Sequence, residues 1–161
     1  MPLSVCAADQ QRVEELLGRT PEGAFEVVVR DAHGDPVVIR NAPLLNNGRP
    51  MPTRFWLVGA TARLAVDQLE SDGGVRRARE AVDGVELASA HLRYAAERDA
   101  AMPPRHTGPA PSGGVGGTRE GIKCLHAHYA WYLAGGDDPV GKWVAGQLAL
   151  SRDTADTDSN S

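Results

Sequence analysis

Three short runs of β-branched and aromatic residues in the N-terminal part constrain the fold of this chain more than any other feature. They cover residues 25–30, 37–40 and 54–58, with turn-forming residues between them at 31–36 and 46–48. Short connections favour antiparallel pairing, because parallel strands need a long crossover that is usually a helix. The pattern therefore predicts a three-stranded antiparallel meander with an apolar face that another layer must cover.

Helices are predicted to supply that cover. Apolar residues recur at every third or fourth position over 61–69, 75–101 and 119–134, with shorter helical stretches at 9–17 and 140–150. A chain of 161 residues is long enough for one hydrophobic core and too short for two comfortable domains. The predicted fold class is α+β: a single domain over 1–150 with a three-stranded antiparallel sheet covered by about four helices, followed by a disordered acidic tail at 151–161.

The overall charge and the lack of long apolar segments restrict the class of protein. The net charge of −4 argues against a generally basic surface, so nucleic acid is not an expected partner. No stretch approaches the roughly 18 consecutive apolar residues of a membrane span, and the first residues lack a secretory signal pattern. The two cysteines, Cys6 and Cys124, do not form a disulfide framework. These features predict a cytoplasmic protein without a membrane partner.

A glycine-rich loop that runs into a helix start is the least ordinary segment of the chain. It reads GGVGGTREGIKCLHAH over residues 113–128. Unpaired backbone N–H groups at such a place favour an anion, and Gly116, Gly117 and Lys123 are the candidate anion-binding residues. The segment is not a nucleotide-binding P-loop, because Ile122 stands where that motif needs a lysine. A flexible linker that ends in a helix cap is the alternative interpretation.

Cys124 is the candidate nucleophile of this segment. A cysteine near a helix N-terminus and beside Lys123 is expected to have a lowered pKa. On a helix, His128 would share its face, whereas His126 would point away unless the backbone at Cys124 is extended. A small buried hydrophobic residue is the alternative role of a lone cysteine.

Four segments resemble a known bacterial family. They are GDPVV at 34–38, APLLNNGRPMPT at 42–53, KCLH at 123–126 and DPVG at 138–141. In this order they resemble the family catalogued as domain of unknown function 501, and the likeness runs from about residue 9 to 150. That family has no established activity, so the resemblance implies an identity without a reaction.

The resemblance also implies a candidate metal site. Many members of the family carry cysteines in the turn at 31–34 and a cysteine or histidine at the end of the third strand, a set that suits zinc together with KCLH. Here Gly59 stands where the strand-end ligand would be. The implied zinc ligands are Asp31, His33, Cys124 and His126, with His128 as a substitute. Ordinary turn chemistry is the alternative role of the first two.

These observations leave three functions open. The first is a non-enzymatic accessory or regulatory protein of the bacterial cytoplasm, in which zinc pins the Cys124–His126 helix to the sheet and another cytoplasmic protein is the partner. The second is a cysteine-dependent enzyme or metal-assisted hydrolase that acts on a phosphorylated or anionic small molecule through Cys124 and His126. The third is a protein-binding module that uses the Gly/Pro-rich loop at 102–118. The first leads, because the sequence alone names no acid partner for Cys124.

Overall fold

The computed structural model describes residues 3–159 and consists of an antiparallel sheet with helices packed against it. The strands are β1 (Phe25–Arg30), β2 (Pro36–Asn41) and β3 (Phe55–Leu57). The helices are α1 (Ala7–Leu17), α2 (Ala60–Ser71), α3 (Gly74–Ala81), α4 (Gly84–Ala100), α5 (Leu125–Leu133) and α6 (Pro139–Asp158), with one 3-10 turn at Val115–Gly117. The predicted α+β fold with three antiparallel strands is confirmed.

The sheet is buried on both faces. Strand β2 lies in the centre and pairs with β1 and β3, so that Ile39 lies opposite Val27 on one side and Trp56 on the other. Successive residues of β2 point to opposite faces. Val38 packs into the main core with α2, α4, α5 and α6, while Ile39 joins a smaller core with Val13 of α1, and both are fully buried. The sequence predicted one apolar face, but α1 covers a second one.

The helix predicted over 75–101 is two helices. Val82 has an extended backbone with φ −99° and ψ 133°, which ends α3. Asp83 then caps α4, because its carboxylate accepts the backbone N–H groups of Val85 and Glu86 at 2.8 and 3.0 Å. A carboxylate at the N-cap satisfies amides that a helix start leaves unpaired. This local bond, together with the weak helix propensity of Gly84, outweighs the continuous apolar spacing.

Two further helix boundaries differ from the prediction. The helix predicted over 119–134 begins only at Leu125, and Gly121 before it has a positive φ of 65°. Helix α6 continues to Asp158 although 151–161 were predicted to be disordered, and every residue from 149 to 159 is exposed. Once the first turns of α6 are docked on the core, adding further turns costs little because the helix is already nucleated. Within residues 3–159, no helix has both the length and the apolarity needed to cross a membrane.

The long loop at 102–118 is held to the body of the protein by side chains of α4. Arg98 is 1% exposed and donates to the carbonyl oxygens of Pro52 and Gly113 at 3.1 and 2.9 Å. His91 accepts the N–H of Val115 on Nδ1 at 3.1 Å, which leaves Nε2 as the protonated nitrogen that donates to the carbonyl oxygen of Gly121, just after the loop, at 2.8 Å. These bonds place the glycine-rich turn beside the start of α5.

Replacing Gly141 with alanine is expected to lower the free energy of unfolding by about 1–3 kcal/mol. A Cβ at this position would lie 2.3 Å from the Cβ of Tyr132 and 2.7 Å from the carbonyl oxygen of His128, so α5 and α6 would have to separate. Gly146→Ala in the same helix is the matched control, because a Cβ there meets nothing within 4 Å. That variant should gain about 0.5–1 kcal/mol. Urea unfolding measures both, and equal effects would contradict the close packing of the two helices.

Candidate functional site

Cys124 and His126 lie together at the start of α5. Cys124 is the residue before the helix and has an extended backbone, with φ −151° and ψ 151°. Because it is not part of the helical turn, its side chain and that of His126 come to the same side. The Cys124 Sγ, a ring nitrogen of His126 and a carboxylate oxygen of Glu70 all lie within 4.8 Å of one another. The sequence predicted that these two side chains could meet only if the backbone at Cys124 is extended, and the backbone there is extended.

Helix α2 supplies two carboxylates to the pair. Asp67 Oδ1 lies 2.6 Å from Nε2 of His126. Glu70 Oε1 lies 3.3 Å from Nδ1 of the same ring and accepts the backbone N–H of Leu125, the first amide of α5, at 2.7 Å. Residues three apart on a helix share a face, so α2 presents both carboxylates to α5. The sequence alone does not identify them: their spacing on one helix face is visible, but the helix that packs against that face is not.

The Cys124 thiol and the His126 imidazole shift each other's protonation. Burial is the largest influence on the pKa of Cys124 and raises it, but the hydrogen bond with His126 and the backbone amide of Ala127 outweigh burial and lower the pKa overall. The hydrogen bond with Cys124 is the largest influence on His126, and with Asp67 it raises the pKa of the imidazole to about 9. Thiolate and imidazolium therefore coexist between the lowered pKa of Cys124 and about pH 9.

A cavity of about 490 Å³ opens beside this pair. Its wall contains three basic side chains, from Arg19, Arg63 and Lys123, together with the indole of Trp56. The guanidinium of Arg19 lies 5.1 Å from the centre of the Trp56 ring, and Arg63 donates to the carbonyl oxygen of Leu16 at 2.9 Å. These contacts orient two of the cations along the wall, and because the wall also carries the carboxylate of Asp67, basic side chains exceed acidic ones there.

The predicted anion-binding residues are brought together in part. Gly116 and Lys123 both line the cavity, and a Cβ on Gly116 would lie 3.5 Å from the Cβ of Lys123. The N–H of Gly117 donates to the carbonyl oxygen of Gly114 at 3.0 Å, so the loop itself uses that amide. Gly116 has a positive φ of 69°, a conformation that glycine adopts without steric cost.

The structure does not join the β1–β2 turn to this pair. Asp31 Oδ1 accepts the backbone N–H groups of His33 and Asp35 at 2.8 and 3.0 Å, which is ordinary turn chemistry. Asp31 lines a different cavity, of about 800 Å³, between the turn, α2 and α6. Over residues 3–159, the group of metal-ligand side chains within 4.8 Å of one another is Glu70, Cys124 and His126, without Asp31 or His33. Asp31 and His33 therefore remain metal ligands only in the prediction made from the sequence.

His128 links α5 to α6. Its Nδ1 lies 2.6 Å from Oδ2 of Asp138, and both side chains are buried. The other carboxylate oxygen of Asp138 accepts the N–H of Val140 at 2.9 Å and so caps α6. His128 is therefore held in a helix-capping contact, and it is not among the ligand-type side chains grouped around Cys124.

A known protein family matches most of the chain. The model of a family described as a protein of unknown function (DUF501) matches residues 27–146, which is more than half of the chain. The matched segment contains α2 and the start of α5, and with them both carboxylates, Cys124 and His126. No curated protein and no solved structure matches the chain.

Proposed function

The chain belongs to the DUF501 family, and we propose that it is an enzyme in which Cys124 acts as a nucleophile on a small anionic molecule. One observation carries the proposal: a thiol, an imidazole and a carboxylate lie next to one another in space, from Cys124 through His126 to Asp67. A nucleophile next to a base that a third group orients is the arrangement of many cysteine and serine enzymes. No acid partner for Cys124 is evident from the sequence alone, and Asp67 supplies one.

Each residue of the set has a distinct role in the proposed reaction. Cys124 attacks as the thiolate, which is the nucleophilic form of cysteine. Asp67 holds Nε2 of His126, so Nδ1, which lies 3.3 Å from Glu70 Oε1, is the nitrogen that exchanges a proton with the reacting groups. Glu70 holds the start of α5 in place through the amide of Leu125 and thereby positions Cys124.

The size and charge of the cavity support a small anionic substrate. Its volume of about 490 Å³ is within the range of small-molecule sites. Arg19, Arg63 and Lys123 give its wall positive charge, although the whole chain has a net charge of −4. Local positive charge on an acidic protein favours a specific anion over general binding to polyanions.

A metal-bound form is the second candidate, because Glu70, Cys124 and His126 are zinc-ligand types within 4.8 Å of one another. A carboxylate on the other ring nitrogen, as Asp67 provides, is the common second contact of a zinc-bound histidine. This set would support the metal-assisted hydrolase or the metal-stabilised accessory protein. Elemental analysis distinguishes the candidates: one zinc per chain that is lost in Cys124→Ser would contradict a free thiolate nucleophile.

The nucleophile proposal predicts that Cys124 prefers an anionic alkylating reagent. In the Cys6→Ser protein Cys124 is the single thiol, and iodoacetate differs from iodoacetamide chiefly by its negative charge. We expect the rate ratio of iodoacetate to iodoacetamide to exceed that of a small free thiol by about threefold to fivefold, since Lys123 is exposed and an exposed charged contact is worth about 1 kcal/mol or less. Mass spectrometry of the intact protein measures both rates.

The matched variants for this test are Lys123→Gln and Lys142→Gln. Lys123 lines the cavity, whereas Lys142 is an exposed lysine of α6 outside it. The preference should fall about threefold to fivefold in the first variant and persist in the second. A ratio equal to that of the free thiol, or one that Lys123→Gln leaves unchanged, would contradict the anionic substrate.

A further inference from the structure

We propose that the outward face of α4 binds the same face of a second copy of this chain, with the two helices antiparallel. This contact does not use Cys124 and goes beyond the function proposed above. Two patterns along α4 (Gly84–Ala100) carry the proposal: an apolar patch and a flank with opposite charges beside it.

The face of α4 that points away from the core is apolar. Leu87 and Tyr94 are buried, and they mark the side of the helix that packs into the core. They follow Val85 and Leu92 by two positions each, or about 200° around the helix, so Val85 and Leu92 lie on the opposite side. These two side chains are 77% and 73% exposed, and Ser89 between them is exposed as well. A surface helix normally carries polar residues there.

Val85 and Leu92 form one patch, because residues seven apart lie two turns along the same helix face. Leu64 and Leu150 are also exposed, at 59% and 62%, but they lie on two different helices, α2 and α6. Single exposed apolar residues are normal on a protein surface. Apolar residues that recur every seven positions are the pattern of a helix that pairs with another helix.

The charged residues beside the patch identify the partner as a second copy. Glu86 and Arg93 are also seven residues apart, so they share one flank of the patch. When two copies of a helix pair antiparallel about a two-fold axis, this flank lies on the same side of both. The midpoint of Val85 and Leu92 is one residue from the midpoint of Glu86 and Arg93, and both are next to Ser89. A two-fold axis at Ser89 therefore sets Val85 opposite Leu92 of the second copy and Glu86 opposite its Arg93, each pair twice.

A parallel pair of helices would lose this complementarity. It would set the charged flank of one copy beside the other flank of the second, which carries Ala88 and Ala95. Arg93 donates to the carbonyl oxygen of Asp137 at 2.7 Å, but its side chain is 42% exposed and a guanidinium has five N–H donors. Arg93 can therefore keep this bond and also pair with Glu86 of the second copy.

Sedimentation equilibrium of the full chain tests the proposal, in reducing buffer so that the exposed Cys6 forms no disulfide between copies. A contact made by one helix of each copy is small, so we expect monomer at about 1 µM and mostly dimer at about 500 µM. Leu92→Glu should raise the dissociation constant of the dimer about 100-fold, because it places a carboxylate in the apolar patch of both copies. Leu64→Glu, on another helix, is the matched control and should leave the constant unchanged.

Charge reversal tests the antiparallel arrangement. Glu86→Arg and Arg93→Glu should each weaken the dimer about tenfold, and the double variant should return to within about threefold of the parent. Far-ultraviolet circular dichroism checks that each variant is folded. A monomer at every concentration overturns the proposal, as does a dimer that Leu92→Glu leaves intact or one that the double reversal fails to restore.

Discussion

Replacing His126 with alanine in the Cys6→Ser protein is expected to slow the alkylation of Cys124 by iodoacetamide at pH 7 about tenfold, the change in thiolate fraction that one pKa unit brings. The imidazole is the group that offsets the effect of burial on the thiol. An ordinary thiol is only about 3% ionised at pH 7, and burial reduces that fraction further. Without His126, the reactive thiolate at Cys124 should therefore become a minor species.

Two variants control this experiment. His33→Ala removes an exposed histidine of the β1–β2 turn and should leave the rate unchanged. Asp67→Asn keeps a hydrogen-bonding group near Nε2 of His126 but removes its charge, so an intermediate rate is expected. A His126→Ala protein with an unchanged melting temperature that is alkylated as fast as its parent would contradict the proposed role of His126.

Replacing Arg98 with methionine is expected to lower the free energy of unfolding by about 3–5 kcal/mol. The guanidinium is 1% exposed and donates to the carbonyl oxygens of Pro52 and Gly113 and to the carboxylate of Asp99. Methionine fills a similar volume but leaves the two carbonyls without that donor. Guanidinium chloride unfolding, followed by far-ultraviolet circular dichroism, measures the loss.

Arg93→Met is the control for this prediction. Arg93 is on the same helix with its side chain 42% exposed, and it donates to the carbonyl oxygen of Asp137 at 2.7 Å. An exposed contact of this kind is worth about 1 kcal/mol or less. If both substitutions cost the same, then Arg98 does not hold the 102–118 loop to the body of the protein.

The strands could be predicted because the information for them is local. β-branched runs and turn residues at 25–58 specify antiparallel strands with little help from the rest of the chain. Two helix boundaries could not be predicted, because they depend on local features that the spacing of apolar residues does not show. The carboxylate of Asp83 starts α4, and the extended backbone at Cys124 delays α5 to Leu125.

Only the part of the candidate site that lies at the start of α5 could be predicted from the sequence. Cys124, His126, Lys123 and Gly116 are close in sequence, and the structure places them around one cavity. Their carboxylate partners come from α2, more than fifty residues earlier, and their contact depends on how α2 packs against α5. Tertiary packing of that kind has no signal in a single sequence.

The rate of Cys124 alkylation against pH, in the Cys6→Ser protein, tests the central claim most directly. The proposed thiolate–imidazolium pair predicts that the rate rises at a pH below the pKa of an ordinary thiol and changes again near pH 9, where His126 loses its proton. The His126→Ala profile should have a single inflection at higher pH than the first. A parent profile with one inflection at or above about 8.5, the value of a free thiol, would contradict the account.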